Sequence, residues 1–188
     1  MKRLEHYSCL KSKEFHHKDY SICSIREQDI MSIRVWRNLQ IDVLRQKSLI
    51  SEEQQKRYFD SVIWPTFEQD NPNQILVSFF KHGELIGYGG LVHISWEDKR
   101  AEVSFLVDPE RHIPEIYEED FSAFLTLVGS MAFSDLGFYR IFTETYDIRE
   151  LHISILEKNN FQREGIMRKH VLIHGERIDS IIHGCINE

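Results

Sequence analysis

Apolar and polar residues alternate with a period of two along several short stretches of the chain, which is typical of strands that bury one face. In the first half of the chain, alternation predicts a strand at residues 20–25, and runs rich in β-forming residues predict strands at 74–80, 85–94 and 99–107. His82, Gly83 and Glu84 separate the second and third stretches, and this short Gly-containing segment predicts a hairpin turn. The last three of these strands are therefore expected to form an antiparallel meander.

Apolar residues with helical spacing lie between and after these strands. Ile30, Ile33 and Trp36 fall on one face of a predicted first helix. Ser51 and Gln54 form a capping box, which predicts a second helix that runs to about residue 64. A long helix is predicted over residues 117–136, because its apolar residues form one buried face and a glycine follows it.

The final third of the chain predicts a strand at residues 138–146, a helix capped by Asp147 with Glu150, and a hairpin of strands at 162–173 and 177–186. The element order is β-α-α-β-β-β-α-β-α-β-β. A meander followed by one strand–helix–strand crossover predicts an α/β (α+β) fold, with a central mixed, mostly antiparallel twisted sheet and helices on both faces. Residues 1–19 are predicted to be an N-terminal arm or an irregular extra strand, and residues 20–188 a single domain.

The composition restricts the classes of function. The 188 residues are enough for a buried core, and a net charge of −7 argues against nucleic acid as a partner. No apolar run is long enough to span a membrane and the N-terminus lacks the apolar stretch of a secretory signal, so no membrane partner is expected. Cys9, Cys23 and Cys185 form neither a disulfide framework nor a metal pattern, which predicts a cytoplasmic protein.

Residues 155–184 carry a recognisable pattern: ILEKNNF, an EG pair two residues later, a DS pair and a final glycine. This pattern resembles the C-terminal half of the GNAT acetyltransferase superfamily, whose element order is also the one predicted here. WRN at residues 36–38 resembles a signature of the branch that contains the Rim-type ribosomal-protein acetyltransferases and several amino-sugar acetyltransferases. The resemblance runs from about residue 20 to the end of the chain.

The resemblance implies transfer of an acetyl group from acetyl-CoA, as co-substrate, to a primary amine, without a metal. The acceptors it implies are, in order, a nucleotide-linked amino sugar, a protein N-terminus and small amines such as polyamines. A homodimer is left open. The alternative is a catalytically degenerate GNAT-fold binding or assembly module, because several of the family's usual functional residues are replaced in this chain.

Glu102 is the expected general base. It lies in RAEVSF, which resembles the central strand in which some GNAT enzymes carry a glutamate for this purpose. Period-two alternation places Glu102 on the same face as Ser104 and Leu106. A mid-strand carboxylate is costly unless its face meets solvent or a cleft, and a solvent-facing cross-strand partner of a cation is the alternative.

The family resemblance also implies that main-chain groups of Phe105, Leu106 and Val107 bind the pantetheine arm of CoA. GNAT proteins usually continue into a glycine-containing loop whose backbone N–H groups bind the diphosphate. The corresponding stretch here, ERHIPEIYEEDFSAFL, has no glycine and is acidic. Arg111 is the expected compensating cation, near Tyr117 at the start of the long helix.

The general acid is the second departure from the family pattern. Leu156 stands where many GNAT enzymes have a tyrosine, and Arg149 and His152 replace an Asn/Ser pair of the Rim-like pattern. His152 is expected to protonate the leaving thiolate, with a packed histidine as the alternative. For the acceptor, the resemblance points to Arg37 and Asn38 of the WRN segment, and Tyr146 at a strand end is a further candidate.

Overall fold

Eight strands form one mixed sheet in the computed structural model of the chain, which describes residues 4–187. The strands lie in the order β1-β2-β3-β4-β5-β6-β8-β7, and every neighbouring pair is antiparallel except β5 and β6. This arrangement confirms the predicted fold class. The strand bounds are β1 Glu14–His17, β2 Tyr20–Ser24, β3 Ile75–Lys81, β4 Glu84–Ser95, β5 Arg100–Val107, β6 Arg140–Tyr146, β7 Gln162–Ile173 and β8 Glu176–Ile186.

Four α-helices cover the two faces of the sheet: α1 Ile30–Leu39, α2 Glu52–Tyr58, α3 Pro114–Gly129 and α4 Glu150–Lys158. Neighbouring residues of a strand point to opposite faces. Tyr88 of β4 faces a cavity that Ile33 of α1 also lines, whereas a Cβ on the adjacent Gly89 would meet Phe124 of α3. Helices α1 and α2 therefore lie on one face, and α3 with α4 on the other.

The N-terminal stretch is packed into this core. β1 pairs with β2 along the edge of the sheet. Tyr7 is fully buried against Phe67, and its hydroxyl accepts a hydrogen bond of 2.9 Å from the backbone N–H of Leu76. The predicted arm is thus an edge strand preceded by an anchored segment. Residues 1–3 and 188, which the predicted arm and domain include, lie outside the described residues.

The helix ends differ from the prediction in detail. The Ser51–Gln54 capping box is present, and a wider turn over Phe59–Ile63 and a tighter turn over Trp64–Glu68 follow α2. Helix α3 begins at Pro114, earlier than predicted. The predicted capping of α4 by Asp147 is wrong, because Arg149 occupies the N-cap position and its side chain makes no cap hydrogen bond.

The glycines of β4 allow unusually close contact between strands. A Cβ on Gly89 would lie 2.1 Å from the carbonyl oxygen of Ser104 in β5, and one on Gly90 would lie 2.0 Å from that of Ile75 in β3. Only glycine fits such spaces, so these glycines of β4 allow the backbones of neighbouring strands to approach closely. Within residues 4–187, no helix combines the length and the apolar character that crossing a bilayer requires.

Candidate active site

Strands β5 and β6 part after Glu102, and a cleft opens between them. Their parallel pairing consists of three residue pairs and ends at Glu102 opposite Phe142. Beyond this point β5 continues to Val107 and β6 to Tyr146, but the two strands no longer pair with each other. The cleft has a volume of about 180 Å³, and the start of α4 contributes Arg149 and His152 to its lining.

Glu102 lines this cleft and is held by two cationic or polar partners. Its carboxylate accepts hydrogen bonds from Arg45 Nη2 at 2.7 Å and Arg45 Nη1 at 3.4 Å. The Nδ1 of His93 lies 2.6 Å from the Oε2 atom of the same carboxylate. Only 7% of Glu102 is exposed, so these charge-assisted bonds stabilise a carboxylate that water hardly reaches.

Arg45 connects the two strands across the gap. It belongs to the segment between α1 and α2, and its Nη2 also donates to Glu144 Oε2 on β6 at 2.8 Å. Glu144 lies in turn 3.7 Å from the Nε2 of His170 on β7. A single guanidinium thus bridges a carboxylate on each side of the cleft, and its one positive charge offsets part of their mutual repulsion.

A second and larger cavity, of about 510 Å³, adjoins the cleft on the side of α1 and α2. Arg37, Val92 and Ser104 line both spaces, so the two are continuous. Among the described residues that line the larger cavity, Arg37 is the only charged one. Most of the remaining surface is apolar, contributed by residues that include Ile33, Leu49, Ile50, Phe59 and Leu76.

The two candidate acceptor-binding residues of the WRN segment occupy different positions. Arg37 reaches the sheet, where its Nη1 donates to the hydroxyl of Tyr88 at 2.5 Å and its Nε to Gln46 at 3.1 Å. The amide of Asn38 binds the backbone N–H and C=O of Ile50, at 2.8 and 2.9 Å, and also accepts from Gln46. Asn38 therefore fixes the segment before α2 and lines neither cavity.

Phe105, Leu106 and Val107 form the part of β5 that runs beside the gap. Their backbones pair with β4 on one side, at Gly89, Tyr88 and Gly87, and are unpaired with β6 on the other. The ring of Phe105 stacks on Phe121 of α3 with centroids 4.5 Å apart. Among these residues, the carbonyl of Val107 already accepts a hydrogen bond of 2.8 Å from Gln40.

Tyr117, Arg149 and His152 form a hydrogen-bonded group where α3 meets α4. Arg149 donates to the Tyr117 hydroxyl at 2.8 Å, and the same hydroxyl lies 2.8 Å from Nδ1 of His152. A guanidinium can only donate, so the hydroxyl oxygen accepts from Arg149 and its proton is free to be donated to Nδ1 of His152. Burial raises the pKa of Tyr117, and Arg149 partly offsets this effect.

The environment of His152 opposes the predicted acid role. The side chain is buried and stacks on Phe121 with ring centroids 4.1 Å apart. Burial, followed by the charge of Arg149, lowers the pKa of His152 well below its ordinary value. The imidazole is therefore neutral at neutral pH, and has no imidazolium proton to give to a thiolate.

Arg111 is committed to a structural ion pair. Its Nε and Nη2 donate to Asp120 of α3 at 2.5 and 2.9 Å, and Asp120 is fully buried and also accepts from the Tyr20 hydroxyl. The neighbouring acidic side chains are paired as well, Glu118 with Lys158 and Glu119 with Lys81. Three acidic side chains of this stretch thus have local cationic partners, and Arg149 lines the cleft together with Arg37 and Arg45.

A comparison with known protein families identifies the family of this chain. The sequence profile described as Acetyltransferase (GNAT) domain matches residues 22–182. The chain belongs to the GNAT acetyltransferase family. Enzymes of this family use acetyl-CoA as the acetyl donor, which agrees with the predicted co-substrate. The Rim-like or amino-sugar branch stays a prediction.

Solved GNAT structures share the fold at low sequence identity. The spermidine N-acetyltransferase of Vibrio cholerae in complex with CoA and spermine has a TM-score of 0.77 and 16% identity, over 90% of this chain and 96% of that chain. A dodecameric structure of the Vibrio cholerae enzyme has a TM-score of 0.73 and 14% identity, over 90% and 95%. At such identities these matches show the fold alone.

One curated GNAT relative is similar in sequence. It is the uncharacterised N-acetyltransferase YoaA of Bacillus subtilis (strain 168), with 30% identity over 104 residues. The match spans 55% of this chain and 56% of that protein, which is about half the length of each. The activity and substrates of this chain are therefore argued below from its own site.

Within the GNAT cleft, the structure brings together Glu102, Phe105, Tyr146, Arg149 and His152. Tyr146 is 9% exposed, and burial raises its pKa. The sequence interpretation missed Arg45 and His93, the partners of Glu102, because Arg45 lies 57 positions from it and His93 reaches it only across a strand pair. Among residues 4–187, no group of three potential metal ligands lies together.

Proposed function

We propose that the protein is an N-acetyltransferase that moves the acetyl group of acetyl-CoA to a primary amine. The parting of β5 and β6 after Glu102 carries this proposal, since it leaves a strand edge beside a cleft that ends at a carboxylate. A thioester bound along that edge presents its carbonyl next to the larger cavity. The amine nitrogen attacks the carbonyl carbon, the C–N bond forms, the C–S bond breaks, and the nitrogen loses one proton.

The pantetheine arm of acetyl-CoA is placed along Phe105, Leu106 and Val107. Its amide groups are suited to the backbone edge that β6 leaves open, as a peptide adds to a sheet edge. The diphosphate is placed near the start of α3, where the first backbone N–H groups of the helix have no helical partner. Arg149, rather than Arg111, is proposed to supply the cation.

The acceptor is placed in the larger cavity. Its apolar lining with one cation, Arg37, favours an amine that carries an apolar face and an anionic or hydrogen-bond-accepting group. A nucleotide-linked amino sugar, whose phosphate would meet Arg37, ranks first, and a protein N-terminus ranks second, in keeping with the Rim-like or amino-sugar branch. Spermine, which the Vibrio cholerae enzyme binds, ranks lower because the described lining of this cavity has no carboxylate for a polycation.

Two measurements test the proposal. Calorimetry with acetyl-CoA and with CoA is expected to show binding of both. Thiol release from acetyl-CoA is then followed with three amines, namely a nucleotide-linked amino sugar, a peptide with a free N-terminus and spermine. If neither acetyl-CoA nor CoA binds at millimolar concentration, the result contradicts the proposed acetyltransferase activity and favours the non-catalytic assembly module.

The three cysteines bear on the cellular setting. Cys9, Cys23 and Cys185 are free thiols, and burial raises the pKa of both Cys9 and Cys23 to about 11. Such thiols are unreactive, which suits the predicted reducing cytoplasm. A homodimer, which the sequence leaves open, is tested by sedimentation of the purified chain.

A further inference from the structure

We propose that His93 receives the proton of the acceptor amine, and that Glu102 acts as the positioning residue that orients its imidazole. The proposal rests on the acetyltransferase function proposed above and assigns the step that removes the proton. It starts from the 2.6 Å contact between His93 Nδ1 and Glu102 Oε2. Because Glu102 is an acceptor for Nδ1–H in this contact, the other nitrogen, Nε2, carries the free lone pair.

A local irregularity of β4 places His93 beside Glu102. Val92 pairs with Glu102, and the next regular pair is Ser95 with Arg100, so the register shifts between them. His93 has a φ of +48°, in the left-handed region that side chains rarely adopt. In a regular strand His93 would point away from the face of Val92, whereas here its ring reaches the carboxylate on that face.

The two members of the pair differ in their access to a substrate. Both carboxylate oxygens of Glu102 are engaged, Oε1 with Arg45 and Oε2 with Arg45 and His93. The side chain of Glu102 is 9% exposed, whereas that of His93 is 64% exposed. Glu102 and Val92 line the cleft, whereas His93 lines neither cavity and lies exposed beside them. An amine that enters from the solvent side of the pair therefore meets the imidazole before the carboxylate.

The proton balance is simple. As the nitrogen attacks the thioester carbon, its proton passes to the lone pair of His93 Nε2. The C–S bond then breaks, and the thiolate leaves with the bonding electrons. The resulting imidazolium is stabilised by the Glu102 carboxylate through the Nδ1–H bond, which is the usual benefit of a histidine–carboxylate pair.

Other charged groups surround the pair. Glu102 of β5 is the direct partner of His93, and Arg45 of the segment after α1 binds Glu102 from the opposite side. Arg45 also binds Glu144 of β6, which lies 3.7 Å from His170 of β7. The pH dependence of turnover in the wild-type protein depends on all of these groups together. Variants are therefore needed to assign the proton acceptor.

Three variants separate the roles. His93→Asn is expected to lower kcat about 10²- to 10³-fold with the KM for acetyl-CoA unchanged, because it removes one general base. Glu102→Gln is expected to lower kcat less. His82→Asn is the control, since His82 is also exposed, has a φ of +50° and lies 3.9 Å from a carboxylate, that of Asp19.

The opposite ranking overturns the proposal. If His93→Asn keeps kcat within about threefold of the wild type while Glu102→Gln loses more than a hundredfold, the carboxylate itself takes the proton. Thiol release is measured with the amino sugar, the peptide and spermine, so that a wild-type protein without turnover counts against the proposed function instead.

A second measurement is independent of turnover. Nitrogen-15 NMR of the histidine side chains reports which ring nitrogen carries the proton. The neutral ring of His93 is expected to be protonated at Nδ1, and to lose this preference in Glu102→Gln. A His93 that is protonated at Nε2 in the wild type, with no change in Glu102→Gln, contradicts the proposal even if no acceptor is found.

Discussion

Arg149 donates a hydrogen bond of 2.8 Å to the hydroxyl of Tyr117, and this contact joins the start of α4 to the first turns of α3. It orients a guanidinium at the cleft near a helix N-terminus. Cations and helix N-termini are the two protein features that favour a phosphate. In the proposed CoA site, this contact would compensate for the glycine-containing loop that the chain lacks.

Arg149→Ala is expected to weaken acetyl-CoA binding about 10- to 100-fold, which corresponds to the loss of one charge-assisted hydrogen bond to an anion. Calorimetry measures the change. Arg163→Ala is the matched control, because Arg163 pairs with Glu157 at the surface and lines neither the cleft nor the larger cavity. Unchanged affinity in Arg149→Ala would exclude Arg149 from the diphosphate site.

Arg111→Ala is expected to lower the free energy of unfolding by about 3 kcal/mol, because it leaves the buried Asp120 carboxylate without its cation. Arg57→Ala removes a similar ion pair with Glu53 that is exposed on both sides, and is expected to cost less than about 1 kcal/mol. Urea denaturation compares the two variants. Equal losses of unfolding free energy in the two variants would mean that the burial of Asp120 gives the Arg111 ion pair no larger role in stability.

Gly89→Ala is expected to prevent or severely weaken folding. The added Cβ would lie 2.1 Å from the carbonyl oxygen of Ser104 and 2.7 Å from Phe124, so two strands or a helix must shift. Overpacking of this kind costs about 1–3 kcal/mol or more. Gly165→Ala in β7 is the control, since nothing lies within 4 Å of its Cβ position. Thermal denaturation followed by circular dichroism is the measurement, and similar melting temperatures for both variants would contradict the expectation.

His152 is expected to make the fold sensitive to mild acid. Burial lowers its pKa in the folded state, so below the ordinary histidine value of about 6.5 the unfolded chain binds the proton first. Stability from this group is present above that pH and is lost as the pH falls, by up to about 1.4 kcal/mol per pH unit.

His152→Gln, which keeps an acceptor for Tyr117, is expected to flatten the dependence of unfolding free energy on pH between about 6.5 and 5. Denaturant titrations at several pH values measure the slope. The exposed His16 provides the control variant His16→Gln. A slope that stays the same in His152→Gln would assign the acid sensitivity to other groups, such as the buried His183.

Local signals in the sequence predict the fold well. The Ser51–Gln54 capping box depends on residues three positions apart, and it forms as predicted. The period-two pattern of β5 places Glu102 and Ser104 on the face that meets the cavities, since side-chain direction in a strand follows from position alone. Such features are decided within one element, so a single sequence contains them.

The candidate site is less predictable because its contacts join distant segments. The ion pair with Asp120 holds Arg111, which the sequence favours as a CoA-binding cation, in a structural role. The contact with Tyr117 holds Arg149, for which no role was predicted, at the cleft. His93 lies beside Glu102 only because the register between β4 and β5 shifts, and no residue pattern in β4 predicts this shift. Their roles follow from three-dimensional packing, which alternation and capping rules do not describe.

The short pairing of β5 with β6 has a thermodynamic consequence. The five strands on one side of the gap and the three on the other are joined within the sheet by only three residue pairs. A linear ligand that forms hydrogen bonds to both β5 and β6 would connect the two parts of the sheet where they do not pair with each other. Its binding free energy then adds to the stability of the whole domain, by about 2.7 kcal/mol at a concentration one hundred times its Kd. Occupancy of the gap by such a ligand would therefore raise the temperature at which the domain melts.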